Sequence, residues 1–479
     1  MTERWMNYIG GKWVDGSTKE TIRIEDPALA APIGEIARAT APDIDRAVDA
    51  ARRCVAQRSL IDMRPADRGR HLVDMAVWLD ERRDEIARWL TLESGKPLTE
   101  AGWEVDNCTG FLRYYGGLTD KIEGSYIPLG GGYTDYVMPV PYGVSAHIVP
   151  WNYPLELAAR GAGPAIAAGN AVVIKSPELD PIAVTYLGMA AEAVGMPPGS
   201  INIVCGYGHD AGEALSNHPG VDQITFTGSV ETGKKVLHAA AERVVPAVVE
   251  LGGKSPGVVL EDADLDVVAE QTRWGIFANA GQVCSALSRL VVPESLHDEV
   301  VDRLVDIARS LDVGPGIDDS DMGPVISSSQ LDRVKRHVRF GQEDGATVAA
   351  GGAPLDREGH FFEPTVFVDV DNEMAIAREE VFGPVLTIIA YRDTDEALRI
   401  ANDSTYGLVA GVFGNDLDEV THLADRLEAG QIFVNEWFSP SIEAPFGGFK
   451  MSGFGREKGQ AALSSYYQWK NVAIRRSHP

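Results

Sequence analysis

Gly143-Val144-Ser145-Ala146-His147-Ile148-Val149 leads directly into Pro150-Trp151-Asn152-Tyr153-Pro154. The first seven residues are a short apolar run of strand length. The five that follow end it with an amide poised where a helix begins. Four further runs of the same character lie at 171–174, 201–204, 223–226 and 247–250, with helical stretches between them. Strand, helix, strand at this rhythm predicts a doubly wound parallel sheet. A second series of the same kind spans about 256–432. Upstream, 64–94 carries apolar residues at helical spacing (Leu72, Met75, Ala76, Leu79, then Ile86, Trp89, Leu90), which predicts a pair of amphipathic helices. Gly-rich 122–142, with alternating aromatic and β-branched residues, predicts a protruding hairpin, and 464–475 an exposed strand. Two α/β domains plus a β extension is the expected architecture.

The chain has 479 residues, room for two or three domains. Hydrophobic residues at 44% and charged residues at 24% exclude wholesale disorder. Lys and Arg total 43 against 70 Asp and Glu, a net charge of −27. So acidic a surface repels phosphate backbones and anionic membranes, which argues against nucleic acid or membrane as a partner. Four scattered cysteines (Cys54, Cys108, Cys205, Cys284) with no CxxC point away from disulfides and zinc, and towards a reducing compartment. Residues 1–14 lack the order of a signal peptide, and the apolar stretch 162–174 falls short of the ~20 residues that span a bilayer. A cytoplasmic location is expected.

Several motifs fail when their chemistry is checked. Gly253-Lys254-Ser255-Pro256-Gly257 fits the G-x-S-x-G pattern of a serine hydrolase. The oxyanion hole there needs the N–H of the residue after the nucleophile, and Pro256 has none. The same lysine and serine would need a glycine at position 248 for a P-loop, where Val248 stands. Gly206-Tyr207-Gly208 is half a dinucleotide fingerprint, with its third glycine, Gly212, one position late. No histidine pair has metal-ligand spacing, so no metal is expected.

Three motifs survive together. Gly281-Gln282-Val283-Cys284 places a cysteine on a turn-forming loop after an apolar segment. Val249-Glu250-Leu251-Gly252-Gly253-Lys254 ends a strand with a carboxylate beside paired glycines, and Asn152 ends another. Taken singly, Cys284 reads equally as a structural cysteine and Asn152 as a helix cap. Together they supply a thiol nucleophile, a base and an oxyanion donor, at strand ends where parallel sheets place ligands.

At these residues the chain resembles the NAD(P)-dependent aldehyde dehydrogenase superfamily, over nearly its whole length. Its markers are Pro150–Pro154, Lys175-Ser176-Pro177-Glu178, Phe226-Thr227-Gly228-Ser229, Glu250–Lys254, Gly281–Cys284, Glu379-Glu380-Val381-Phe382-Gly383-Pro384 and Pro445-Phe446-Gly447-Gly448-Phe449-Lys450-Met451-Ser452-Gly453. The resemblance implies two doubly wound domains, one for NAD (1–121 and 143–250) and one for catalysis (251–435). It also implies an oligomerisation arm (122–142 and 460–479) that builds a homodimer or homotetramer.

It implies roles as well. Cys284, as a thiolate near neutral pH, attacks a small-molecule aldehyde, and Asn152 and the Cys284 N–H hold the oxyanion. Hydride passes to the nicotinamide, and Glu250 activates water to hydrolyse the thioester. Members that acylate coenzyme A typically lack this glutamate, so acyl transfer is the enzymatic runner-up. Lys254 either supports the glutamate loop or is a surface lysine. Lys175 and Glu178 match the pair that reaches the adenosine ribose, which favours NAD with NADP as the alternative. Gly228 and Ser229 match the pyrophosphate site. Glu380 and Phe382 match the nicotinamide side, and Ile148, Trp151, Gly208 and Leu251 complete the cofactor set.

For the substrate pocket the reading takes Arg160, eight residues past Asn152, and Trp437. Arginine here resembles semialdehyde and aromatic-aldehyde dehydrogenases, although Glu156 one turn earlier offers it a purely structural partner. Betaine or aminoaldehydes and broad aliphatic aldehydes are the alternatives.

Overall fold

The computed structural model describes residues 3–439 and 441–476, so positions 1–2 and 477–479 of the expected cofactor domain and arm lie outside the described residues. All five runs around Asn152 are strands: β1 (Val144–Ile148), β2 (Ala171–Ser176), β3 (Ile201–Cys205), β4 (Gln223–Thr227) and β5 (Ala247–Glu250). They pair in parallel in the order β5-β4-β1-β2-β3. The chain therefore walks from β1 to β3 on one side, then crosses over to lay β4 and β5 on the other. The order reverses between β1 and β4, and an open α/β sheet leaves a crevice outside the strand ends at that switch point. Asn152 leaves β1 there, and Gly228 and Ser229 leave β4.

Antiparallel strands finish the sheet at both edges: Asn7–Ile9 and Lys12–Val14 beside β3, and Gly453–Phe454 beside β5. Gly453 has φ +112, and a Cβ there would run into the Val249 carbonyl, so only glycine lets this strand close on β5.

The second series folds as β6 (Ser255–Val259), β7 (Leu287–Pro293), β8 (Thr365–Val368), β9 (Val385–Tyr391), β10 (Val409–Phe413) and β11 (Gln431–Val434). Their order is β8-β9-β7-β6-β10-β11, all parallel, with Thr347–Ala350 antiparallel at the edge. Separate apolar cores pack against the two sheets. The 64–94 region forms the expected two helices, Pro65–Asp80 and Arg83–Ser94. The hairpin forms too, Ser125–Ile127 against Tyr133–Pro141. The C-terminal strand Tyr467–Arg475 does not stand alone: it pairs along its length with Tyr133–Pro141 of the same chain. Among the described residues, one long edge of that three-stranded arm is left without a partner strand.

Two helices position the residues after β1: α1 (Leu98–Leu118) and α2 (Pro154–Ala168). The first N–H groups of a helix have no intrahelical acceptor. Here the Leu155 and Glu156 N–H groups donate to one Glu104 carboxylate oxygen from α1, at 2.9 and 3.3 Å. Its other oxygen takes a hydrogen bond from Lys96 Nζ, which also donates to the Asn152 carbonyl at 2.8 Å. Both charged side chains are fully buried.

Removing one member of such a pair leaves an uncompensated buried charge, which typically costs about 3–5 kcal/mol. Glu104→Ala should lower the urea midpoint by a corresponding margin. A midpoint equal to that of the unmodified chain would contradict this account.

Candidate active site

Cys284 lies on the loop that follows α4 (Leu265–Phe277). Asn279, Ala280 and Gly281 all have positive φ (48°, 52° and 71°). A left-handed non-glycine residue costs on the order of 1–2 kcal/mol, so such a run persists only when its surroundings hold it. They do. The Asn279 N–H donates to Glu100 of α1 at 2.7 Å, and its side-chain amide donates to the Asn152 carbonyl at 3.0 Å. The Gln282 side chain accepts from the Ile326 N–H at 2.9 Å. Gly281 itself packs on the Gly383 carbonyl, where a Cβ would collide.

The Asn152 amide donates to the Gln282 carbonyl at 3.1 Å, which sets it beside Cys284. On the far side, a Cβ at Gly253 would run into the Cys284 carbonyl, and one at Gly252 into the Glu380 carboxylate. The paired glycines after β5 thus admit the cysteine loop and Glu380 together. Ser452 clamps this turn: its hydroxyl donates to the Gly252 carbonyl at 2.7 Å and accepts from the Gly407 N–H at 2.9 Å. Glu250, the last residue of β5, is buried, and among the described residues its carboxylate oxygens have no hydrogen-bond partner.

Burial decides the resting charge. It raises the Glu250 carboxyl well above the usual carboxylate range, and nearby Glu457 raises it further. Burial also pushes the Cys284 thiol up to about 12, against the pull of Arg160 and Lys458 towards the thiolate. The sequence reading has Cys284 as a thiolate near neutral pH. The structure departs from this: desolvation outweighs the pull of Arg160 and Lys458 and holds the Cys284 thiol above its ordinary value.

Two pocket residues differ from expectation. Arg160 does not brace α2 through Glu156, whose carboxylate accepts from the Asn107 amide at 3.0 Å. It is buried against Glu457 in an ion pair, its guanidinium 5.3 Å from the Phe446 ring centre. Trp437 is 5% exposed, packed on Gly275 and Gly411, and its indole N–H donates to the Ser285 carbonyl at 3.0 Å. It supports the cysteine loop through that bond. Lys254 is no surface lysine: it is buried, and desolvation together with Arg289 brings it down to about 7.

Most of the residues expected to hold the cofactor stand at or just past the ends of β1–β5. Ile148 ends β1 and Trp151 follows it, and Lys175, near the end of β2, pairs with Glu178 at 2.7 Å. Ser229 caps α3 (Val230–Arg243) and accepts from Thr232 N–H at 3.3 Å, so the helix N-terminus faces the crevice with its anion-favouring dipole. Leu251 packs beside Gly233 of that helix. Glu380 accepts from the Gly253 N–H at 2.9 Å. The Phe382 ring meets Trp151 edge-on at 5.2 Å. Gly208 opens a turn two residues beyond Gly206, past the end of β3. An anion-favouring helix end, a lysine–glutamate pair for hydroxyl groups and a carboxylate at the Cys284 end fit a dinucleotide laid across the crevice.

Sequence reasoning missed Lys96, Glu100, Glu104 and Glu457. Glu457 alone had a signal, lying four residues past the recognised 445–453 motif.

The chain as a whole has counterparts in known proteins. The profile of the Aldehyde dehydrogenase family matches residues 13–472. An aldehyde dehydrogenase of Aspergillus niger is 40% identical over 470 residues, covering 98% of this chain and 94% of that one. A peroxisomal aminoaldehyde dehydrogenase of Malus domestica is 40% identical over 476 residues, covering 97% and 94%. The NAD+ complex of a Bacillus cereus aldehyde dehydrogenase superposes with a TM-score of 0.97 at 37% identity, covering 99% of this chain and 97% of that one. With the family's profile matched over nearly the whole chain, a relative 40% identical and the same fold, the chain belongs to the aldehyde dehydrogenase family.

Proposed function

We propose that the chain oxidises an aldehyde to its carboxylic acid with NAD, through acylation of Cys284 and hydrolysis by water activated at Glu250. The observation that carries this reading is the hydrogen bond from the Asn152 amide to the Gln282 carbonyl, which holds an oxyanion donor beside the cysteine. The second donor is the Cys284 N–H, which makes no hydrogen bond among the described residues. Cys284 sulfur bonds to the aldehyde carbon, and the carbonyl oxygen takes the negative charge. One donor placed at that oxygen is typically worth about 3 kcal/mol. Arg160 and Lys458 favour the thiolate that makes the attack. Bound NAD supplies the hydride acceptor for the oxidation that leaves an acyl-cysteine. Glu250 then takes a proton from the attacking water, the C–S bond breaks, and the acid departs. A carboxyl raised by burial is a stronger base once ionised, which suits this step at neutral pH. With Glu250 in place, water rather than coenzyme A is the acceptor.

For the substrate we favour an uncharged aromatic aldehyde. Arg160, the carrier of the semialdehyde reading, has its charge met by Glu457. Lys458 has no ion-pair partner among the described residues and would repel a cationic tail. The aminoaldehyde alternative keeps one observation in its favour, the half-buried Glu156 carboxylate beside this pocket.

Cys284→Ala should abolish turnover, whereas Glu250→Gln should keep acylation and lose hydrolysis. Rapid mixing of Glu250→Gln with NAD and aldehyde should show a burst of NADH near one per active site, then little more. Full steady-state activity in that variant would refute the assignment of the base.

Glu178 can accept hydrogen bonds from both ribose hydroxyls but meets a 2′-phosphate with like charge. NAD should therefore support higher kcat/KM than NADP, and Glu178→Ala should narrow the gap. Equal efficiency with the two cofactors would overturn this preference.

The arm's free strand edge calls for pairing with a second copy. Sedimentation at micromolar concentration should give a dimer or tetramer, and a monomer would contradict that reading.

A further inference from the structure

We propose that a basic cleft at the outer edge of the first sheet binds a sugar phosphate. The hairpin of Asn7–Ile9 and Lys12–Val14 extends that sheet beyond β3, on the side away from the switch point. Gly10, at its turn, lies against Ala50 of the helix Ala41–Ala56. Hairpin and helix together enclose a cleft of about 320 Å³. Lys12 lines it from the hairpin, Arg46, Asp49 and Arg53 line it from the helix, and Ile9 and Val14 add apolar surface. Positions 46, 49 and 53 follow helical spacing, which sets all three on one face. Three cations against one carboxylate make a positive spot on a chain whose net charge is −27.

These cations are not consumed by their neighbours. One terminal nitrogen of Arg46 pairs with Asp43 and donates to the Asp15 carbonyl at 3.0 Å. Its Nε and other terminal nitrogen have no partner among the described residues. Asp43 is itself fixed, accepting from the Thr40 and Ser17 N–H groups at 2.9 Å each. Asp49 stands one turn before Arg53, the favourable order for a helical ion pair. The two are nevertheless unpaired, and neither Arg53 nor Lys12 has an ion-pair partner among the described residues. The hairpin is held in place, because the Gly10 N–H donates to Asn202 of β3 at 2.9 Å and the Asn7 side chain accepts from the Cys205 N–H at 2.8 Å. A preset guanidinium fork with two free cations suits a doubly charged phosphate. Asp49 opposes a bare anion but accepts hydrogen bonds from hydroxyl groups, so the fitting ligand carries both phosphate and hydroxyls. The volume sits at the low end of the roughly 300–1,000 Å³ of small-molecule sites, which gives room for a sugar phosphate and not for a dinucleotide.

The test is calorimetry with sorbitol 6-phosphate, which has no carbonyl for Cys284 to attack, on protein held in excess NAD so that the cofactor crevice is filled. Sorbitol 6-phosphate should bind at least about tenfold more tightly than inorganic phosphate or sorbitol. Lys12→Glu and Arg53→Glu, both at exposed positions, should each weaken that binding roughly tenfold or more and leave aldehyde turnover unchanged. Asp49→Ala should bring sorbitol 6-phosphate and inorganic phosphate to within about threefold of each other. No binding at millimolar concentration, equal affinity in the charge-reversed variants, or inorganic phosphate matching sorbitol 6-phosphate on the unmodified chain would each overturn the proposal. The outcome is independent of the dehydrogenase reading, since the readout is binding and not turnover.

Discussion

The active-site half of the molecule depends on one buried ion pair. Lys96 and Glu104 sit wholly inside the protein, where an unpaired charge would be costly and a paired one must use every hydrogen bond it can make. Glu104 spends its second oxygen on the open end of α2, and Lys96 spends another proton on the Asn152 carbonyl. That same carbonyl receives the Asn279 amide, so the Asn152 turn and the Cys284 loop are fastened to one point. A strained run of three left-handed residues can then persist, because the fastenings were set by a helix that takes no part in the chemistry.

Desolvation raises both Glu250 and Cys284 above their ordinary values, and Arg160 beside them is matched by Glu457. The groups that would meet a developing negative charge are oriented N–H dipoles at fixed positions. Preorganised donors in a low-dielectric pocket stabilise a transient oxyanion more than freely reorienting water does. Desolvation that suppresses the thiolate at rest also protects a nucleophilic sulfur from chance electrophiles and oxidants.

What was legible in the sequence was local. The run 143–149 and its sister runs read as strands because period and punctuation are written within a few residues, and Asn152, Glu250 and Cys284 stood in recognisable motifs at the ends of such elements. What was illegible was set by distant partners. Glu100 and Glu104 carried no local signal, because the Asn279 and Leu155 N–H groups that they accept from lie far along the chain. Arg160 had an obvious local partner in Glu156, and only the folded chain brings Glu457 closer. Likewise the two arm strands each looked unpaired, since their pairing joins positions more than 300 residues apart.

Gly453–Phe454 completes the edge of β5, the strand that ends in Glu250, and Glu457 follows three residues later. Glu250 therefore waits for a segment some 200 residues downstream. At synthesis rates of about 5–20 residues per second that interval is on the order of 10–40 s. Throughout it a nascent chain carries Glu250 on an unfinished sheet edge, with neither its covering strand nor the counter-charge of Arg160. Translation thus leaves Glu250 uncovered until almost the whole chain has emerged, and a product truncated before Gly453 lacks the strand that covers it.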